Sequence, residues 1–332
     1  MSSKLITVFG STGAQGGSVV KSILQNKSGA FKVRGITRNP NSDAAKQLAS
    51  AGVEVVKGNG FNKDEMLAAF KGSYGVFVNT NSDDPAFDDP KNPTELDLGK
   101  LLVDTAADAG VKHFIYSSGA SPSALTNGEL MIPTFENKNQ VGTYALTSGK
   151  FDYVTIVDAG WYLENFLVPD LAPVLGGFPL NADNEGYMSL VCPKWGGKED
   201  VPFIGMMDDY GDIVHGMFLD PKAWNGKTIQ GVSEAASFDK VASDFEKVTG
   251  TKSRYVPLPS WKDLPTFGVK SLETIRHMFG YCQISGGLYF GEPTETHTAA
   301  TLKRIATEAQ GKIGSDAELM TVEKFFGTHF AK

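Results

Sequence analysis

Near its start the chain runs from Leu5-Ile6-Thr7-Val8-Phe9 straight into glycines at 10, 13 and 16, and then into a helical pattern through Leu24. Few folds begin with strand, glycine turn and helix. A short apolar run rich in β-branched residues suits a strand buried on both faces of a parallel sheet. Gly10 permits a turn that a side chain would obstruct. Gly13 lets a pyrophosphate approach the backbone, and Gly16 lets helix and strand pack closely. The helix behind them offers free N–H groups and the positive end of its dipole to phosphate. The spacing is G-x-x-G-x-x-G, not the commoner G-x-G-x-x-G. With 37 glycines in 332 residues, placement directly after a strand is what marks a dinucleotide cradle. Its expected residues are Gly10, Thr12, Gly13, Ala14, Gln15 and Gly16.

The pattern then repeats. Strands are expected at Phe31–Thr37, Val53–Lys57, Gly75–Asn79, Val111–Ser117 and Tyr153–Asp158, with helices at Ser42–Ala51, Asp64–Phe70, Glu95–Ala109 and Phe135–Ser148. Strict alternation means right-handed crossovers and a parallel sheet. The expected class is α/β: a Rossmann-like doubly wound parallel sheet with a smaller C-terminal α/β substrate domain. Residues 1–158 would form the NAD(P)-binding domain and 159–332 the smaller one, with elements free to return to the first. The later half predicts strands at Pro202–Gly205, Lys227–Gly231 and Arg254–Pro257, and helices at Asp208–Leu219, Ser237–Thr249, Ser271–Phe279 and Ala299–Ala309.

Three stretches read as irregular. Asn81–Pro93 carries four aspartates and three prolines, which exclude regular structure, and follows a strand's C-terminal end, where open sheets bind ligands. It reads as a flap. Ser121–Pro133 is a loop. Gly160–Gly186, rich in aromatics, prolines and glycines, suits a substrate cleft; Trp161, Tyr162 and Phe166 within it read either as core residues or as cleft residues.

Cofactor choice is legible after the second strand. NAD-binding folds place an acidic residue about 20 residues past the glycines, on the ribose 2′-hydroxyl. This chain has Arg38, whose guanidinium offers a forked donor to a 2′-phosphate, so NADP(H) is the expected cofactor. Lys57 would add to the positive field. Adenine would sit at Gly58–Phe61, with Asn59 and Phe61, and the fourth strand would bring Asn79 and Thr80 to the nucleotide. Ser117, at a strand's C-terminal end, is placed to bond a substrate oxygen or the nicotinamide ribose.

A net charge of −7 and the lack of a Lys/Arg cluster argue against nucleic-acid binding. No run of 18 apolar residues points to a membrane span. The five histidines form no spaced pair, so no metal site is expected, and there is no Gly-x-Ser-x-Gly elbow. Gly226-Lys227-Thr228 mimics a phosphate loop, but Pro221 stands where its first glycine belongs. The chain enters a strand almost at once, without the shape of a signal peptide. Cys192 and Cys282 lie far apart and read as buried free thiols of a cytoplasmic or nuclear protein.

Several segments together carry a resemblance. Gly10-Ser-Thr-Gly-Ala-Gln-Gly-Gly17, Thr37-Arg-Asn-Pro40, Tyr116-Ser-Ser118, Phe135-Glu-Asn-Lys138-Asn-Gln-Val141, Tyr162-Leu-Glu-Asn-Phe166, Asp220-Pro-Lys-Ala-Trp-Asn-Gly-Lys-Thr228 and Arg254-Tyr-Val-Pro257 resemble the NmrA-like family of atypical short-chain dehydrogenase/reductases. The likeness runs from about residue 4 to about 260. It implies a Rossmann-like NAD(P) domain, a small substrate domain and one of two activities. Some members of the family look like redox sensors that bind the nucleotide and dock on transcription factors. Isoflavone-reductase-like relatives reduce small molecules with NADPH and place a lysine in a Phe-x-x-Lys segment, matched here by Lys138. Typical short-chain dehydrogenases have a tyrosine four residues before that lysine, where this chain has Thr134, a poor general acid. Lys138, Tyr162 or a water would then supply the proton. The expected function is an NADPH-dependent reductase of a small carbonyl, imine or conjugated substrate, with Lys138, Ser117 and Tyr162 as catalytic residues. The alternative is a non-catalytic sensor acting on a protein partner. Either would be a monomer or homodimer.

Overall fold

The computed structural model describes residues 3–89 and 91–331. In chain order its elements are β1 (Lys4–Phe9), α1 (Ala14–Leu24), β2 (Phe31–Thr37), α2 (Asp43–Ser50), β3 (Glu54–Lys57), α3 (Lys63–Phe70), β4 (Gly75–Val78), α4 (Glu95–Asp108), β5 (His113–Ser118), α5 (Pro122–Leu125), α6 (Pro133–Thr147) and β6 (Tyr153–Ala159). Then follow β7 (Trp161–Tyr162), β8 (Met188–Pro193), β9 (Val201–Ile204), α7 (Gly211–Leu219), α8 (Pro221–Trp224), β10 (Thr228–Gly231), β11 (Glu234–Ala236), α9 (Phe238–Thr249), β12 (Ser253–Leu258), α10 (Lys270–Ile284), α11 (His297–Gln310) and α12 (Val322–His329).

Seven strands form the main sheet in the order β10-β6-β5-β4-β1-β2-β3, every pair parallel. This is the Rossmann-like doubly wound order. The direction of winding reverses between β1 and β4, which opens a crevice at the C-terminal ends of those strands. Burial on both faces explains the apolar strand centres: Ile6, Val8, Val76, Phe77, Phe114 and Ile115 are fully buried. On one face Val19 and Ile23 of α1, Val214 and Met217 of α7 and Leu302 of α11 pack together. The other face is covered by Met66 of α3, Leu102 of α4 and Val141 of α6. Part of the later half thus completes the first sheet: β10 extends it beside β6, and α7 and α11 cover it.

The rest of that half builds a second core. β11 pairs antiparallel with β9, β9 parallel with β7, and β12 parallel with β8. Trp161, Phe166, Phe178, Trp195, Phe203 and Phe279 fill the space beside these strands, together with Cys192 and Cys282, which are free thiols. Of the two readings open for Trp161 and Phe166, burial in this cluster makes them core residues. Alternation along β7 turns Trp161 inward and leaves Tyr162 facing the cleft.

The irregular stretches are more ordered than their composition suggested. Pro85–Asp88 forms a 3-10 turn that Asp84 caps, so Asn81–Pro93 does contain regular structure. Ser121–Pro133 contains α5, capped by Ser121 with Pro122 at its first position. A π-turn, Met206–Tyr210, precedes α7 and shortens the expected helix. β8, β11 and α12 had no sequence signal of their own. Among the described residues no helix is long and apolar enough to cross a membrane.

Candidate functional site

Behind β1 the backbone turns at Gly10, whose φ of +73° is the left-handed conformation that glycine adopts without strain. Gly13 N donates to Gly10 O at 3.0 Å and closes the turn. A Cβ on Gly16 would fall 2.2 Å from Gly10 O, so only glycine lets α1 start so close to the strand. No side chain caps α1 at Gly13, and its first turn holds no acid. Its leading N–H groups are left for something outside the helix. Thr12, Gly13 and Ala14 are exposed on this turn.

Beside the turn lies a cavity of about 320 Å³ lined by Gly10, Thr12, Arg38, Asn59, Phe61 and Asn79, six of the expected cofactor residues. Phe61 meets the edge of Phe87 from the 3-10 turn at 5.7 Å. Arg38 reaches out from the end of β2, and its Nη1 donates to Asp84 Oδ2 at 2.7 Å. Lys57 ends β3 and is not among the lining residues.

A second cavity of about 320 Å³ opens past the ends of β5 and β6. Ser117, Thr134, Lys138, Tyr162 and Gln15 are among its polar groups, with Ser82 and the charged Asp83, while Phe135, Ile275 and Tyr289 form apolar wall. Its outer side is α10, through Ser271, Thr274 and Ile275, not the stretch after Tyr162.

Lys138 is less free than its place in the sequence suggests. Its ammonium donates to Thr80 O at 2.6 Å and Thr80 Oγ1 at 3.0 Å, and lies 3.0 Å from Glu95 Oε1. An ammonium has three donors, and all three are engaged. Thr80 and Ser82 also donate to Glu95 Oε1, at 2.6 and 2.9 Å. Thr80 is 2% exposed and lines neither cavity, so it holds Lys138 where a nucleotide contact was expected. Glu95 has no distinctive sequence signal, because an acid in a helix's first turn reads as a dipole partner.

Gln15 ties the glycine turn to the second cavity, which it lines. It stands in the first turn of α1, and its Nε2 donates to the Tyr162 hydroxyl at 2.6 Å. The buried Tyr210 hydroxyl lies 2.9 Å from Ser117 Oγ and 3.3 Å from Gln15 Oε1. Burial pushes the Tyr162 phenol above its ordinary value of 10, and the Gln15 bond pulls it back in part. Since the Tyr162 oxygen accepts from Gln15, its own proton is free to point into the cavity. Tyr210 has no signal in the sequence: it sits in the π-turn and meets Ser117 only through packing. Thr134 Oγ1 is buried in the cavity wall without a hydrogen-bond partner. Such an orphan is filled by a ligand or a water.

Known proteins share this architecture. A model of the NmrA-like family matches residues 2–311. An NmrA-like family domain-containing oxidoreductase of Aspergillus hancockii is 52% identical over 328 residues, covering 98% of this chain and 97% of its own. A protein of the same description from a Cladobotryum species is 49% identical over 332 residues, covering 98% of each. Among solved structures, NmrA, a negative transcriptional regulator in complex with NADP, is similar with a TM-score of 0.75 and 23% identity, covering 99% of this chain and 96% of NmrA. An NADPH-dependent quinone oxidoreductase from Escherichia coli, complexed with NADPH, has a TM-score of 0.69 and 18% identity, covering 98% and 99%.

Proposed function

This chain belongs to the NmrA-like family, and from that footing we propose that it binds NADP(H) along the glycine turn and reduces a small carbonyl, imine or conjugated substrate in the adjoining cavity. The observation that carries this reading is the Gln15–Tyr162 hydrogen bond. It joins the first turn of the nucleotide cradle to a phenol facing a partly apolar cavity. Relatives about half identical over nearly their whole length are described as oxidoreductases, which supports the same reading.

The residues present fit a nicotinamide dinucleotide. The uncapped N-terminus of α1 and the cradle that a Cβ on Gly16 would fill suit the pyrophosphate. Arg38 would take the 2′-phosphate, and Asn59 and Phe61 the adenine end. At the other end Ser117 and the unpartnered Thr134 Oγ1 face the place where the reacting ring and substrate would meet. NADPH, when bound, supplies the hydride. Tyr162 holds the proton that the substrate needs, and the Gln15 amide stabilises the phenol oxygen as that proton leaves. Lys138 fixes the backbone at Thr80 and is not the proton donor. Incubation with NADPH and a panel of aldehydes, ketones, imines and enones tests the proposal. NADPH oxidation above background, abolished in Tyr162→Phe, supports it; no oxidation with any class counts against it.

A second reading draws on Thr134 in place of a tyrosine and on the three engaged donors of Lys138. Both suit a nucleotide sensor that changes its affinity for a protein partner such as a transcription factor. A sensor needs a partner that distinguishes the two states. Equal recovery of partners with and without NADP(H) would exclude it.

A further inference from the structure

Four consecutive residues after β4 face two ways. Asn81 and Asp84 line the cavity beside Arg38, whereas Ser82 and Asp83 line the cavity beside Tyr162. Asp84 is the most constrained of them. Its side chain is 13% exposed, its Oδ1 accepts from Ala86 N at 3.0 Å, and its Oδ2 accepts from Arg38 Nη1 at 2.7 Å. The guanidinium assigned above to the 2′-phosphate thus already has an anionic partner.

That arrangement treats the two nucleotides differently. A 2′-phosphate approaching Arg38 must compete for Nη1 and then lie near a carboxylate of like charge. A 2′-hydroxyl meets no such conflict, because a carboxylate accepts its proton while remaining on Arg38. The Arg38 end of the pair is largely exposed, so the pair is weak enough for a phosphate to open. We infer that Asp84 sets the balance between the nucleotides, holding down the preference for NADP(H) that Arg38 alone would give and keeping NAD(H) usable. Asp84 is a specificity-determining residue in this role. The inference rests on the reading of Arg38 as the reader of the 2′-phosphate.

The capping bond makes the test clean. In Asp84→Asn an amide oxygen still accepts from Ala86 N, so the 3-10 turn is kept while the charge is removed. Dissociation constants for NADPH and NADH are measured by titration calorimetry on the wild type, Asp84→Asn and Arg38→Ala. Asp84→Asn is expected to tighten NADPH roughly tenfold, the scale of one like charge removed from a part-solvated site, and to leave NADH the same or weaker. Arg38→Ala is expected to weaken NADPH and spare NADH. If Arg38→Ala weakens NADPH selectively but Asp84→Asn leaves the NADPH-to-NADH ratio unchanged, the role of Asp84 is overturned and that of Arg38 stands. If Arg38→Ala leaves NADPH unchanged, or the wild type binds neither nucleotide, both fall.

Discussion

Lys138 Nζ lies 3.0 Å from Glu95 Oε1, and the Glu95 side chain is only 3% exposed. Breaking a buried pair costs more than the pair contributes, because one charge is left uncompensated. Glu95→Gln keeps acceptors for Thr80 and Ser82, so its expected cost is about 1–3 kcal/mol, read from urea denaturation. Lys138→Met should also destabilise while changing the NADPH dissociation constant by less than about threefold. A large loss of NADPH affinity with unchanged stability would instead make Lys138 a nucleotide ligand.

Tyr162→Phe should lower kcat by roughly 10²–10⁴-fold, the range for a lost general acid, with nucleotide affinity nearly constant. Gln15→Leu removes the bond that pulls the phenol back from its burial-raised value. Its pH–rate profile should therefore keep activity to higher pH, at a lower plateau. A profile that does not move would place the titrating group elsewhere.

Gly16→Ala introduces a Cβ 2.2 Å from Gly10 O, a backbone atom with nowhere to go. The expected cost is about 1–3 kcal/mol, with nucleotide binding lost in the protein that still folds. Thermal melts and fluorescence titration with NADPH check the two effects separately.

Three buried groups contribute to the pH dependence of stability in opposing directions. Burial pushes His113 down to about 3 and His215 down to about 4, from 6.5. Both depressed values mean stability that is present above pH 6.5 and is lost as pH falls through 4 and then 3. Burial, with Glu292 nearby, pushes Asp158 up to about 7 from 3.8. Its contribution is present below pH 3.8 and is lost as pH rises through 7. A tenfold difference in proton affinity between the folded and unfolded chain is worth about 1.4 kcal/mol. Asp158→Asn should therefore stabilise the protein at pH 8 and much less at pH 4. His215→Phe should flatten the loss of stability between pH 6.5 and 4. Urea melts across this range decide both.

Much of the architecture was legible because it is local. The five β–α repeats up to Tyr153 announce themselves through apolar runs of strand length and alanine- and leucine-spaced helices, each within one short stretch of chain. Gly10 and Gly16 are close in sequence, and the close packing between them follows from their spacing. Arg38 stands at a fixed offset from that turn, so its arrival at the same cavity was readable too.

The chemistry of the site was decided by packing. Gln15 and Tyr210 are 195 residues apart, Ser117 and Tyr210 are 93, and Thr80 and Lys138 are 58. No periodicity or motif encodes such pairs, because each depends on where two independently formed elements come to rest. The same holds for Trp161 and Phe166, whose aromatic character suited a cleft as well as a core until the second core claimed them. The sequence by itself determined the parallel doubly wound sheet and its glycine cradle, since those follow from contacts near in the chain. Only the tertiary structure decided that Lys138 is engaged by Glu95, that Tyr162 faces the cavity with its proton free, and that Asp84 sits on Arg38, since these rest on contacts between distant segments.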